Sequence, residues 1–150
     1  MEIQQINRTD ADKIFINVLN ADVDSLTTGY GAAFCVGANS FNGATVWKTD
    51  QDTTAGLRDT TFVGVAAADI APNAIGRVQI WGFADSVYLS NVGTSITINS
   101  GDALTPGDAP GGFFSAVPTY LLSGFKWIIC SNPPVAVSAS GYCSGIVRGL

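Results

Sequence analysis

The 150-residue chain has no histidine, a single glutamate (Glu2) and a single methionine. Without histidine, the side chain that usually moves protons near pH 7 is missing. Ser-His-Asp and Cys-His nucleophilic arrangements are therefore excluded. Cysteine is sparse too: Cys35, Cys130 and Cys143 form no Cys-x-x-Cys pair. A structural zinc site needs about four Cys or His ligands, usually in close pairs, so none is expected. The three read as small buried hydrophobes with free thiols. A Cys130–Cys143 bridge stays open as an alternative, one that a cytosolic setting does not favour.

Charge is scarce. Charged residues make up 13% of the chain, against roughly 25% in an ordinary globular domain. The formal net charge is −5. The seven bases are scattered singly: Arg8, Lys13, Lys48, Arg58, Arg77, Lys126 and Arg148. A nucleic-acid binder gathers its bases on one face, so nucleic acid is not an expected partner. From Ala109 to Leu150 the only charges are Lys126 and Arg148. That segment is expected in the core, at an interface, or both. No stretch reaches the roughly 18 uninterrupted apolar residues of a membrane-spanning helix. The start, Met1-Glu2-Ile3-Gln4-Gln5, has no basic region followed by an apolar one, so no secretory signal is expected. Synthesis in a cytosol follows as an expectation.

What is present is apolar. Hydrophobic residues account for 47% before the 17 glycines are counted, and mean hydropathy is +0.29. A chain of this size leaves much of its surface in water, so an apolar surplus points to coverage by other chains. No cofactor is expected. A paired-carboxylate enzyme remains formally open, with Asp69, Asp85 and Asp102 as its candidates. All three fall at expected turns or strand edges. Asp22-x-Asp24 and Asp50-x-Asp52 offer the oxygen ligands calcium prefers. Neither has the spacing or closing glutamate of an EF-hand, and solvated loop aspartates are the plainer reading. Gly29-Tyr30-Gly31 and Gly111-Gly112 lack the Gly-Lys-Ser/Thr of a phosphate loop. Trp47, Trp81, Trp127 and Tyr30 are candidates for a sugar-stacking platform. Core packing is the better account of Trp81 and Trp127, which sit in strong strand patterns, and leaves Trp47 as the exposed candidate.

Helix signals are few. Gly, Thr, Ser, Val, Ile and Asn dominate, the chemistry of strands and turns. Residues 1–12 read as a polar arm anchored by Ile3 and Ile6, and 13–150 as one domain. The first strand, Lys13 to Leu19, places Ile14, Ile16 and Val18 on one face and Phe15 and Leu19 on the other. A second strand runs from Gly29 through Cys35 and Val36. Residues 37–59 read as irregular and polar. Strands are expected at 61–66, 77–81 and 84–89, with Gly82 as a bulge between the last two. Residues 70–76, with Pro72 and Gly76, read as a turn. Residues 94–99 alternate, 100–102 turn, and 106–112 form a loop. Further strands are expected at 113–117, 120–130, 135–139 and 142–148. Many short strands at this spacing make an all-β barrel or sandwich.

Two stretches carry a family resemblance. One is Gly64-Val65-Ala66 through Gly76-Arg77-Val78-Gln79-Ile80-Trp81-Gly82. The other is Ile98-Asn99-Ser100-Gly101-Asp102-Ala103-Leu104. With the opening Lys13-Ile14-Phe15-Ile16-Asn17-Val18-Leu19-Asn20, they resemble the small β-rich decoration, or cement, proteins of tailed-bacteriophage heads. Residues 37–59 and the tail after Gly112 lie outside the resemblance. It implies an all-β body, a single β-barrel, β-tulip-like or sandwich domain with an extended N-terminal arm. It also implies a virion protein on the capsid exterior, made in the host cytoplasm. The implied partners are the major capsid protein and further copies of the chain, as a dimer or trimer. No enzyme activity, nucleic acid or membrane is implied. Ile3, Ile6, Phe15 and Leu19 are the expected capsid contacts. A phage tail, fibre or adhesin-type carbohydrate-binding β module is the alternative.

Overall fold

The computed structural model describes residues 12–35, 44–49, 61–90, 96–106, 114–116, 128–131, 135–137 and 140–149. It is all-β, with no helix among them. The strands are β1 (Ile14–Asn20), β2 (Gly31–Phe34), β3 (Thr45–Lys48), β4 (Phe62–Ala66), β5 (Ile75–Ser90), β6 (Ile96–Ile98), β7 (Ala103–Pro106), β8 (Phe114–Ala116), β9 (Ile128–Cys130), β10 (Val135–Val137) and β11 (Ser140–Arg148). The order β1-β3-β2-β4-β5 closes on itself through a β1–β5 pairing, giving a five-stranded barrel. Closure removes the open edges that a short sheet would otherwise expose. Within the barrel only β1 and β3 run parallel. From β5 the sheet continues through β11, β9, β7 and β8, and β8 touches β5 again at Leu89↔Phe114. β10 and β6 form a separate antiparallel pair.

β5 is the shared spine. Its 16 residues are far longer than the usual five or six. The first half pairs with β1 and β4; the second half pairs with β11. Two cores follow from this division. One, inside the barrel, gathers Val18, Leu26, Ala32, Val46, Val63, Ala66, Ile70 and Val78. The other gathers Phe62, Val65, Ala84, Val87, Leu89, Ile98, Leu104, Ile128, Cys130, Cys143 and Val147. β4 is the wall between them. Val63 and Ala66 face the first core, Phe62 and Val65 the second, and all five β4 residues are buried. That is why its sequence, Phe-Val-Gly-Val-Ala, shows no polar alternation.

The irregularity in β5 has a conformational cause. Gly82 has φ +96°, a conformation that residues with a Cβ rarely adopt. A Cβ there would also collide with the Asp12 carbonyl oxygen, which crosses directly over it. Just before it the register slips, with Phe15 opposite Gln79 but Ile14 opposite Trp81. One residue of β5 is therefore extra, and the inward–outward alternation changes across the slip.

Several expectations change. Trp81, expected in the core, is 44% exposed, because the slip turns it away from both interiors. The segments 77–81 and 84–89 are one strand, since the Gly82 bulge bends the ladder without ending it. Residues 37–59 are not wholly irregular: Thr45–Lys48 forms β3 and pairs with both β1 and β2. Trp47 lies in that strand, opposite Ala33, and is half-buried rather than exposed. The second face of β1 is only partly covered by the described residues, for Phe15 is exposed and Leu19 half-buried. The arm at residues 1–11, the Asp50-x-Asp52 loop, Gly111-Gly112 and Trp127 lie outside the described residues.

Candidate functional site

Cross-strand neighbours share a face of a sheet. Ile14 of β1, Trp81 of β5 and Arg148 of β11 therefore form one row across three strands. The next row is Phe83, Ile146 and Ile129, on β5, β11 and β9. This face points away from the second core, which takes Val147 and Ile128 from the same strands. Ile14 is 50% exposed and Ile146 43%, and Phe83 and Ile129 are half-buried. The Arg148 guanidinium lies 5.9 Å from the centre of the Trp81 ring. A cation over an exposed aromatic face contributes about 0.5–1 kcal/mol.

A second outward ladder flanks the barrel. It pairs Leu19 with Ile75, Asn17 with Arg77 and Phe15 with Gln79. Ile75 is 75% exposed, and the Arg77 guanidinium lies 5.4 Å from the Phe15 ring centre. Phe15 and Leu19, two of the expected contacts, stand on this ladder. Ile3 and Ile6 lie outside the described residues. The described chain enters at Asp12, over Gly82 and beside Trp81. The alternation of β1 singled out Phe15 and Leu19, but not Trp81 or Ile146. Their exposure comes from the bulge and from β11 pairing, which local sequence does not display.

Beside the second ladder, between β1, β4 and β5, lies a cleft of about 180 Å³. Its lining includes Lys13, Phe15, Val65, Gln79, Asp85 and Ser86. Lys13 Nζ and Asp85 Oδ2 pair across the rim at 2.9 Å. Gln79 forms the floor and is only 5% exposed. Its side-chain Nε2 donates to the Trp81 carbonyl oxygen at 3.2 Å. Among the described residues, nothing donates to its Oε1. A buried polar atom left without a partner costs about 1–3 kcal/mol.

The three candidate carboxylates each have a hydrogen-bond or ion-pair partner. Asp69 accepts from the Thr28 backbone N–H at 2.7 Å and the Thr28 hydroxyl at 2.8 Å. These two bonds hold its carboxyl below the usual range. Asp85 pairs with Lys13, and Asp102 accepts from the Asn99 backbone N–H at 2.7 Å. Each is engaged by its own partner: Asp69 by Thr28, Asp85 by Lys13 and Asp102 by Asn99. Asp22 and Asp24 are occupied as well. The Lys48 backbone N–H donates to Asp22, and Lys48 Nζ pairs with Asp24 at 2.9 Å. Buried Asn20 ties that loop down, donating to the carbonyls of Asp24 and Ile70. Among the described residues no three His, Cys, Asp or Glu side chains gather as a metal site.

The three cysteines are buried free thiols. Burial, and then the neighbouring Cys130, push the Cys143 thiol up to about 12. Such a thiol is inert near neutral pH. Tyr30, a platform candidate, stacks on Tyr88 at 4.7 Å. Tyr88 in turn meets Tyr142 at 5.0 Å. Burial, then Tyr88 and Tyr142, raise the Tyr30 hydroxyl. Tyr88 and Tyr142 have no sequence signal, because a single tyrosine in a strand looks like any other strand position.

No protein-family model matches this chain, and no curated protein matches it.

Proposed function

We propose that the protein is a structural component of a tailed-phage virion that binds the assembled major capsid protein lattice and stabilises the head by bridging its subunits. One observation carries the reading: the apolar outer face of Ile14, Trp81, Phe83, Ile146 and Ile129, continuous across four strands and rimmed by Arg148. A face of that kind costs solubility unless something covers it. The large, flat aromatic beside an arginine is the composition that dominates protein–protein contacts. The scattering of the carboxylates into turns and ion pairs also fits a protein that works by contact rather than by chemistry.

In this reading the mechanism is thermodynamic. The protein binds the mature shell more tightly than the precursor or the free capsid subunit. Differential binding shifts the equilibrium towards the bound state and raises the temperature at which the shell opens. The chain is made in the host cytoplasm and ends on the capsid exterior. Quantifying the chain in purified particles tests this. Hundreds of copies per particle are expected; none, or the handful typical of a tail part, would overturn it.

A further inference from the structure

We infer that the cleft between β1, β4 and β5 is a binding site for a neutral hydroxylated ring of monosaccharide size. The inference stands on the cleft itself and does not need the capsid reading. Gln79 carries it. Its carboxamide is buried at the floor, yet Nε2 uses one hydrogen on the Trp81 carbonyl and Oε1 accepts from nothing among the described residues. Gln79 lines the cleft, and among the described residues its Oε1 and the second hydrogen of Nε2 have no other partner. A hydroxyl both donates and accepts, so vicinal hydroxyls satisfy a carboxamide in a way that an apolar group or a simple ion does not.

The rest of the lining matches such a ring. Phe15, Val65 and Ala84 supply apolar walls for the C–H face of a pyranose. Lys13 and Asp85 supply a further donor and acceptor, and because they pair at 2.9 Å the rim carries no net charge. That balance disfavours a charged ligand of either sign. Ser86 adds a hydroxyl. The volume, about 180 Å³, has room for one ring and not for a drug-sized ligand.

The test is an NMR titration of the full chain with methyl α-glucoside, methyl β-galactoside and methyl α-mannoside, each against an Ala-Asn-Ala peptide control. At least one glycoside is expected to shift the Gln79 side-chain amide and the backbone amides of Ala67, Asp85 and Ser86 saturably, with a dissociation constant on the order of millimolar. Gln79→Leu keeps the volume and removes both polar atoms, so it is expected to fold with an undiminished melting temperature and to lose the shifts at least tenfold in affinity. Absence of saturable shifts with all three glycosides would overturn the inference. So would binding of the peptide alone, or unchanged glycoside affinity in folded Gln79→Leu.

Discussion

Leu104 and Trp81 are both large apolar residues in strands, and their surroundings make opposite predictions. Leu104 is fully buried in the second core. Leu104→Ala is expected to cost about 2–5 kcal/mol, because the cavity it leaves cannot fully collapse. Trp81 faces outward beside Arg148. Trp81→Ser is expected to cost well under the roughly 3–5 kcal/mol of a buried tryptophan. Urea denaturation of the two variants measures both, and a Trp81→Ser loss as large as that of Leu104→Ala would return the indole to the core. Asp69 gives a prediction in pH. Its carboxyl is held below the usual range by the Thr28 bonds. A depressed folded-state value contributes stability that is fully present above the unfolded-state value and is lost as pH falls through the folded one. Asp69→Asn is therefore expected to lower the melting temperature at pH 7, with the gap to wild type closing as pH falls below about 4. A gap that stays constant down to pH 2 would show that the carboxylate charge plays no part.

At the scale of elements, β5 shows what the sequence discloses and what it hides. The strand character of 77–81 and 84–89, and a bulge at Gly82, were legible from β-branched alternation and an interior glycine. That the two halves are one strand was not, because a bulge and a turn look alike without the partners. Asp12 crossing over Gly82 is a contact between residues 70 apart, and nothing local announces it. β3 was missed for a related reason. Four residues, Thr45–Lys48, are too few for alternation to stand out, and pairing on both sides fixes them. The cleft is legible only in fragments: Asp85 as a candidate carboxylate and Phe15 as an expected contact, while Gln79 carries no signal of a cleft beyond its place in the strand at 77–81. Gly82→Ala tests the geometry at this junction. It adds a Cβ where φ is positive and the Asp12 carbonyl is already in contact. A loss of about 1–3 kcal/mol is expected, with amide-exchange protection falling first in residues 12–16, where β1 begins. Unchanged stability would mean that the Asp12 crossing is not tightly held.

For the whole molecule, two cores share one spine, and Ile14, Ile75, Trp81 and Ile146 stand exposed on the outer faces. The charge-poor stretch after Ala109 divides between these roles. Ile128, Cys130, Cys143 and Val147 fill the second core, while Ile129 and Ile146 reach the outer face. The composition had pointed to core or interface, and the described part of the segment contributes to the core and to an exposed face suited to contact. Docking through that face predicts a separation between stability and binding. Trp81→Ser with Ile146→Ser removes apolar surface from the outside of the molecule and leaves both cores intact. The direct measurement is occupancy on purified heads that lack this chain, titrated with wild type and with the double variant, alongside the melting temperature of the decorated particles. Wild type is expected to saturate the heads and raise their melting temperature, and the folded double variant to bind at least tenfold more weakly and protect less. Equal occupancy and equal protection by the double variant, or no binding by wild type, would contradict the account.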